Sequence, residues 1–299
     1  MSLRISRNFG HRGPSQTVEP NKKYIFIFEG EKTEKQYFEG VFNNRIELGI
    51  KDIVNITTLE RIDPTHSNQE KIVKNLHKNL TDVSEFKNSK NVTIDKLQTV
   101  LKELNLPNSN EIIEECTKIM NDKDKENLTE VIDIIEKLGV RNAALEDFIE
   151  KLKSLKPLKD LLDYEEDYDT VCIIIDRDRG SFTELQYDTV LEICKQNNYK
   201  LGISNPCFEF WLLLHHTDCL HYEPEELIKN KRVSNSRRYL ESLLVENIGT
   251  YQKNKINFKN YKDNIRDAII REKQYCEDTT LLKKELGSSV GILLEELLD

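Results

Sequence analysis

Two acidic clusters of the 299-residue chain stand directly after short apolar runs. Glu29 follows the run 23–28, and Asp176 and Asp178 follow the run 171–175. Ligand sites of parallel sheets gather at the carboxyl ends of the strands, so two such strands would bring these carboxylates to one edge. Carboxylates this close together need a positive charge among them, and Mg²⁺ and Mn²⁺ are cations that prefer oxygen ligands. The spacing indicates phosphoryl chemistry, in which a metal polarises a phosphoryl oxygen and activates water.

Each cluster also has a purely structural interpretation. Asp-x-Asp-x-Gly at 176–180 occurs in turns and in calcium loops, and Glu29-Gly30 suits a simple strand end. Glu31 and Glu34 stand where a helix begins, and carboxylates in a first helical turn stabilise the helix dipole. The occurrence of two clusters, each after an apolar run, favours a site.

A third segment, 204–216, would begin a helix at the same edge of the sheet. It reads Ser-Asn-Pro-Cys-Phe-Glu-Phe-Trp-Leu-Leu-Leu-His-His, which predicts Pro206 in the first turn. Glu209 lies in the first turns and can join the carboxylates. Trp211 and His215 share one face because they are four residues apart. For the histidines, a packed position in the core is favoured over a functional one.

Basic residues concentrate in two segments late in this acidic chain. The first holds Lys229, Lys231, Arg232, Arg237 and Arg238, and the second holds Lys253, Lys255, Lys259 and Lys262. Tyr239, Tyr251 and Tyr261 lie near them and could stack on bases. The four cations at 231–238 are the predicted nucleic-acid-binding residues. Charge runs are also common on solvated surfaces, and that alternative stays open.

Hydrophobic periodicity predicts the elements that must position these groups. Apolar runs without in/out alternation predict buried strands at 23–28, 52–59, 168–175 and 200–203. Helical patterns between the strands are typical of an α/β domain. From about 66 to 162, a spacing of three to four residues predicts a long all-helical insertion. The predicted organisation is a flexible basic tail (1–20), an α/β domain (21–65 and 163–299) and the insertion (66–162).

The composition narrows the class of protein. Lys and Arg number 44 against 53 Asp and Glu, a net charge of −9, which argues against a generic nucleic-acid coat. Eleven Gly and seven Pro are too few for a collagen-like, turn-rich all-β or Gly/Pro-rich disordered chain. The sequence shows no membrane span, signal peptide or P-loop motif, so we expect a cytoplasmic protein. The six scattered cysteines predict reduced, mostly buried thiols.

Three segments, in this order, resemble the RloB family, which looks like a branch of the Toprim-fold proteins. They are Phe-Glu-Gly-Glu-Lys-Thr-Glu-Lys-Gln-Tyr-Phe at 28–38, Ile-Ile-Asp-Arg-Asp at 174–178 and Ser-Asn-Pro-Cys-Phe-Glu-Phe-Trp-Leu-Leu-Leu-His at 204–215. The segment 287–298 also resembles that family's C-terminal helix. The similarity covers 20–65 and 163–299, and it implies a Toprim-like parallel sheet flanked by helices and interrupted by the insertion.

The resemblance implies roles for particular residues. Toprim proteins use a Glu after the first strand and an Asp-x-Asp after a later one, which fall on Glu29, Asp176 and Asp178 as catalytic and metal-binding residues. In nucleases of the overcoming-lysogenization type a second acid follows the first, which implies Glu34 as a metal ligand, although its offset differs from the usual one. Glu209 would be a supporting metal ligand or an orienting group. Mg²⁺ or Mn²⁺ is the implied cofactor.

The function that the resemblance implies is a Mg²⁺-dependent nuclease, the effector of a bacterial anti-phage defence system, cleaving RNA (tRNA included) or DNA. An ABC-type or AAA ATPase is the implied partner, and a homo-oligomer stays open. One alternative is a non-catalytic Toprim-like scaffold that binds a defence ATPase. Another is an Asp-based phosphatase. The insertion would dock a partner or a second copy, recognise substrate, or be a passive elaboration.

Overall fold

The computed structural model describes residues 23–30, 32–50, 55–59, 69–104, 108–121, 127–139, 142–155, 161 and 164–298. The predicted basic tail (1–20), the beginning of the second predicted strand (52–54) and Glu31 lie outside these residues. The fold is mixed α/β and mostly helical.

A five-stranded sheet forms the centre of the α/β part. Its strands are β1 (Lys23–Phe28), β2 (Asn55–Leu59), β3 (Thr170–Asp176), β4 (Lys200–Asn205) and the two-residue β5 (Gly287–Ser288), in the order β2-β1-β3-β4-β5. The first four run parallel, and β5 pairs antiparallel with the end of β4. The parallel strands predicted from sequence are confirmed, and β1, β3 and β4 are buried as expected. β5 escapes prediction because two residues carry no periodicity.

Helices surround the sheet and extend from it. Before β3 they are α1 (Thr33–Asn43), α2 (Arg45–Leu48), α3 (Gln69–Glu103), α4 (Ser109–Asn121), α5 (Asn127–Lys137) and α6 (Ala143–Leu155). After β3 they are α7 (Glu184–Gln196), α8 (Phe208–Leu214), α9 (Pro224–Lys229), α10 (Tyr239–Ile248), α11 (Ile265–Glu272) and α12 (Val290–Leu298). Short 3-10 turns lie at Phe258–Asn260, Lys262–Asn264 and Leu281–Lys283.

Side chains of the strands alternate between two hydrophobic cores. On one face, Ile25 and Val171 belong to the core that includes the buried residues of α3 to α7. On the other face, Phe26 and Ile174 pack with α1, α8 and the C-terminal helices. Because both faces are covered, the strands read as continuous apolar runs rather than as alternating ones.

Helices α3 to α6 follow one another between β2 and β3. α3 packs against α4 and α6, α5 packs against the same two helices, and α3 also contacts α7 and β3. On α3, Val73, Leu76, Leu80 and Val83 are buried at the three-to-four-residue spacing that predicts these helices. The division of the chain into an α/β domain and an insertion stays a prediction.

The helix predicted from Cys207 to His216 is shorter than expected. It spans Phe208–Leu214, and Pro206 lies before its N-cap rather than in its first turn, so that prediction is wrong. Pro206 follows Asn205, the last residue of β4, through a cis peptide bond. Because proline has no backbone N–H to give to a strand ladder, it ends β4 and leaves the start of the helix to the next residues.

The cysteines agree with the expectation of mostly buried thiols. All six cysteines are free thiols, and four of them are buried. Within the residues that the structure describes, no helix combines the length and the apolar character needed to cross a membrane.

Candidate functional site

Acidic residues at the carboxyl ends of three parallel strands face a common cavity of about 390 Å³. Glu29 follows β1, Asp176 is the last residue of β3, and Glu209 lies in the first turn of α8, which follows β4. Asp178 lines the cavity as well. β1 and β4 both pair with β3, and this strand order brings residues distant in sequence to one edge of the sheet.

The Glu29 carboxylate is held by two donors. The Asp176 backbone N–H donates to Oε2 (2.9 Å), and Nε2 of Gln69, the first residue of α3, donates to Oε1 (2.8 Å). Burial raises the pKa of Glu29 to about 7 and the charges of Glu34 and Asp178 add to the rise, although both hydrogen bonds oppose it. Glu29 therefore binds a proton more readily than an exposed glutamate does.

The Asp176 carboxylate links the end of β3 to the start of α8. Its Oδ1 accepts a hydrogen bond from the Phe208 backbone N–H (2.8 Å). Burial raises the pKa of Asp176 well above its ordinary value, and the charges of Glu34 and Glu29 raise it further. The charge of Lys253 opposes the rise at Asp176 but does not offset it.

The Asp-x-Asp segment alternates as extended backbone requires. Arg177 is buried, and its guanidinium donates to two backbone carbonyls on the far side. Asp178 is exposed, lines the cavity, and accepts hydrogen bonds from the Gly180 N–H (3.2 Å) and the Ser181 hydroxyl (2.9 Å). Asp178 therefore both orders the turn that the structural interpretation predicts and presents a carboxylate beside Asp176.

Glu34 also belongs to this group of carboxylates. It is buried in the first turn of α1 and lies against the turn after β1, where a Cβ on Gly30 would be 1.8 Å from Glu34 Oε2. A larger residue at position 30 would displace that carboxylate from its present position. Its charge is the largest charge effect that raises the pKa of Glu29 and Asp176. The structure brings Glu34 to the site, and its role as a metal ligand stays a prediction.

Glu209 has a cation and a phenol as partners. Lys253 Nζ lies 3.3 Å from Glu209 Oε1, and the Tyr251 hydroxyl donates to the same oxygen (3.0 Å). Burial opposes ionisation of Glu209, yet the Lys253 ammonium and a hydrogen bond from Cys207 hold its pKa below the ordinary value. The Glu209 side chain is 3% exposed and that of Lys253 is 54% exposed, so the carboxylate holds the ammonium at the cavity while leaving it in contact with water.

Four predicted nucleic-acid-binding cations lie on one exposed loop, residues 231–238, which we call the basic hairpin. Its ends are joined by a hydrogen bond from the Tyr239 N–H to the Lys231 carbonyl (2.9 Å). Arg238 lines the cavity, so the basic hairpin rises from its rim. Lys229 also lines the cavity, and it pairs with Glu225 (2.8 Å) on the same helix.

The prediction that the nearby tyrosines stack on bases is wrong for two of them. Tyr251 is 7% exposed and Tyr261 is 1% exposed, so neither ring is accessible to a nucleic acid. The Tyr251 hydroxyl serves Glu209 instead. In the second basic segment, Lys262 pairs with Glu47.

His215 occupies the core, as the favoured interpretation predicts. Its Nε2 lies 2.9 Å from the Tyr37 hydroxyl oxygen, and its Nδ1 lies 3.1 Å from the Trp211 carbonyl oxygen. Burial lowers the pKa of His215 to about 3, so the ring is neutral at physiological pH. This residue has no exposed surface from which to act on a substrate.

Two contacts of the cavity escape sequence reasoning. Gln69 begins α3, forty residues after the Glu29 that it contacts, and a glutamine at the start of a helical pattern has no chemical signature. Lys253 belongs to a basic run that predicts phosphate contacts, but its pairing with Glu209 joins segments that only the fold brings together.

The carboxylate oxygens of the site are the type of ligand that hard divalent cations prefer. A bound cation would also reduce the repulsion between these carboxylates. Glu29 and Asp176 already accept hydrogen bonds from the protein. Across the described part of the chain, no three His, Cys, Asp or Glu side chains converge into a finished metal-binding group. Asp176, Asp178, Glu29 and Glu34 are the residues that would hold such a cation.

The fold and the cavity define the class as an α/β protein that gathers carboxylates at the ends of parallel strands. The chain matches the family model described as RloB-like protein over residues 24–297. The chain therefore belongs to the RloB family, and the resemblance carried by its three motifs is confirmed. No curated protein and no solved structure matches the chain significantly.

Proposed function

We propose that this RloB-like protein is a metal-dependent nuclease with a Toprim-like site and the effector of an anti-phage defence system. The cavity at the strand ends carries the proposal. There, Asp178 stands beside Glu29 and Asp176, and burial and repulsion raise the pKa of the latter two. A bound divalent cation would be the largest local positive charge and would relieve that repulsion.

The proposed cation site uses carboxylates from two strand ends and a helix. Asp176 and Asp178 would hold Mg²⁺ or Mn²⁺, with Glu29 and Glu34 as further ligands. When bound, the cation supplies Lewis-acid activation of a phosphodiester and of water. The protein contributes a fixed position for each carboxylate, through the Phe208 N–H at Asp176 and the turn that orders Asp178.

Glu29 is the residue best suited to move a proton. Without a bound cation its pKa is raised to about 7, and a cation beside it would lower that pKa, so the general-base role applies where Glu29 is not itself a metal ligand. The donors Gln69 and Asp176 N–H hold its carboxylate in one orientation while leaving lone pairs on both oxygens. Glu29 would accept a proton from the attacking water.

The Glu209–Lys253 pair supports the orienting role for Glu209 over the metal-ligand role. Its Oε1 is engaged by Lys253 and by Tyr251. The consequence is an ammonium held at the wall of the cavity, where it can contact a phosphate of the substrate. Glu209 is therefore a positioning residue in this proposal.

The basic hairpin supports a nucleic acid as substrate. Its cations are exposed, and Arg238 connects them to the cavity. A local basic surface at the rim allows backbone contacts although the chain carries a net charge of −9. RNA (tRNA included) and DNA both offer that backbone.

The test is a cleavage panel with tRNA, single-stranded RNA and plasmid DNA, each with Mn²⁺ or with EDTA. We expect the wild type to cleave at least one substrate with Mn²⁺ and none with EDTA. Glu29→Ala and Asp178→Ala should each reduce cleavage by about 100-fold or more. Asp133→Ala, an exposed acid on α5, is the control and should cleave like the wild type. Unchanged cleavage in both site variants would overturn the assignment.

The same panel separates the two alternatives. Absence of cleavage by the wild type, together with a stably co-purified ATPase, would favour the non-catalytic scaffold of a defence complex. A covalent phosphate on Asp176 would favour the phosphatase. An ABC-type or AAA ATPase partner is part of the proposal and is checked by the same co-purification.

A further inference from the structure

Gln69 stands where the long helix α3 meets the acidic cavity. It is fully buried, and Nε2 donates to Glu29 Oε1 (2.8 Å) and approaches the Asp176 backbone carbonyl oxygen (3.4 Å). One amide group thus contacts the ends of both β1 and β3. We propose that Gln69 is a positioning residue of the cavity, which holds the Glu29 carboxylate against β3 and ties α3 to the site.

The chemistry of the contact fixes which end of the amide faces the carboxylate. Both atoms that Gln69 meets, Glu29 Oε1 and the Asp176 carbonyl oxygen, are acceptors. The opposite orientation would place Oε1 against two acceptors and lose both interactions. The Gln69 amide therefore acts as a donor to the site.

The other end of the same amide has no partner among the residues that the structure describes. Gln69 Oε1 is buried and accepts no hydrogen bond from them. Leaving a buried acceptor unpaired is unfavourable, so apolar filling alone does not explain a glutamine here. What the glutamine offers that an apolar side chain lacks is the hydrogen bond to Glu29.

Because of its position in the chain, Gln69 connects the cavity to helix α3. It is the first residue of α3, which packs against α4 and α6 and also against α7 and β3. A displacement of α3 along its axis would pull the Nε2 donor away from Glu29. The Gln69 side chain therefore couples α3 to the site in addition to the packing of α3 on β3, which disfavours a passive role for α3.

The first test measures Mn²⁺ affinity directly and rests on the proposed function. Calorimetric titration of MnCl₂ is compared between the wild type, Gln69→Ala and Gln69→Leu. Loss of a residue that orients a metal ligand weakens binding by about 10- to 100-fold, and we expect that loss in both variants. Gln98→Ala, in the same helix but away from the site, is the matched control and should bind like the wild type. Wild-type affinity in both Gln69 variants would overturn the positioning role.

The second test needs neither metal nor activity. Hydrogen exchange is followed in EDTA at the amides 73–80 of α3 and at the Asp176 amide. Glu29→Ala removes the acceptor of Gln69, so we expect exchange at 73–80 to accelerate by roughly tenfold, with residues 94–101 unchanged. Gln69→Ala should in turn accelerate exchange at the Asp176 amide, because coupling is reciprocal.

The two tests fail in distinguishable ways. A wild type that binds no Mn²⁺ and cleaves nothing overturns the proposed nuclease, while the exchange experiment still decides the coupling of α3 to Glu29. Unchanged exchange in both variants overturns the coupling, whatever the cleavage panel shows. Thermal melting of each variant in EDTA confirms that it is folded before either result is used.

Discussion

Two corners of the same cavity are built from carboxylates and are charged differently. In the open corner, Glu29 and Asp176 accept hydrogen bonds from amides, and the pKa of both is raised although the charge of Lys253 opposes the rise at Asp176. In the paired corner, Glu209 is more deeply buried, yet Lys253 and Tyr251 face it and its pKa is lowered. Burial alone therefore does not set the charge of a carboxylate, because a cationic partner reverses the outcome.

The difference assigns different work to the two corners. The open corner has carboxylates that a cation from solution would stabilise. The paired corner already holds its cation and can only orient it.

The largest effect is expected on cleavage when an open-corner acid is neutralised. Asp176→Asn keeps an oxygen for the Phe208 N–H but removes a charged ligand, so metal-dependent cleavage should fall by roughly 1,000-fold, about 4 kcal/mol. Glu209→Gln should lower it by only about 10- to 100-fold, as for a residue that acts through another. Initial rates with Mn²⁺ measure both. Equal losses would remove the distinction between the corners.

The next effect concerns the pH dependence of stability without divalent ions. The pKa of Glu29 rises from 4.5 to about 7 on folding, so the folded state binds more protons between these values and loses stability as the pH rises through them. Glu29→Gln removes this titration. The variant should match the wild type near pH 4 and exceed its free energy of unfolding at pH 8 by on the order of 3 kcal/mol. Urea unfolding from pH 4 to 8 measures it.

Glu272 provides the control for that experiment. It is buried at the end of α11, far from any role in the cavity, and burial raises its pKa to about 7 as well. Glu272→Gln should likewise reduce the loss in the free energy of unfolding as the pH rises from 4 to 8. Added Mn²⁺ should raise the stability of this variant and of the wild type at pH 8, and should raise that of Glu29→Gln much less. Equal stabilisation of all three would contradict a cation site at Glu29.

A smaller effect is expected from breaking the paired corner. Lys253→Ala leaves Glu209 buried without its cation, which should lower the free energy of unfolding at pH 8 by about 2 kcal/mol, below the usual value for buried pairs because Lys253 reaches water. The loss should shrink toward acid pH as Glu209 takes up a proton. Lys255→Ala, an exposed neighbour, is the control. The double variant Glu209→Gln/Lys253→Ala should recover part of the free energy of unfolding that Lys253→Ala loses. Strictly additive effects of the two substitutions would contradict an interaction between Glu209 and Lys253.

The smallest effect is expected at the rim. Arg232→Ala and Arg237→Ala should each weaken binding of single-stranded nucleic acid by a few-fold and lower the slope of log K against log salt by about 0.7. Arg266→Ala, an exposed arginine on α11, should change neither. Fluorescence anisotropy between 50 and 200 mM salt measures both quantities in the presence of EDTA. An unchanged slope in both hairpin variants would show that the cations of the basic hairpin do not contact phosphates and are solvated surface residues.

The sheet and the open corner could be anticipated from sequence because their signals are local. β1 and β3 are apolar runs that end in acids, and strand alternation alone places Asp176 and Asp178 on the same side. The catalytic and metal roles of these residues stay predictions, as does the division into domains. The sequence therefore indicates where these strands end and which charged side chains stand at their ends.

The paired corner and the Gln69 contact could not be anticipated, since both join distant segments. Whether Glu209 is a ligand or an anchor depends on Lys253, 44 residues later, and a lysine within a basic run indicates phosphate binding rather than a buried partner. Tyr251 is an aromatic residue close to basic residues, which predicts stacking on bases, but its side chain is buried in the core. Such choices depend on tertiary packing, which single-residue patterns do not carry.

β5 and the segment after it complete the edge of β4. The hydroxyls of Ser204 and Ser288 lie 3.3 Å apart although 84 residues separate them in sequence. At Gly287 a Cβ would lie 2.0 Å from the Cys276 carbonyl oxygen, so no other residue fits this close approach. During synthesis β4 therefore emerges long before its cover, and its backbone edge stays open until Gly287 and Ser288 follow. A prematurely terminated chain would carry an unpaired strand beside an unfinished cavity, and would tend to associate with other chains through that edge.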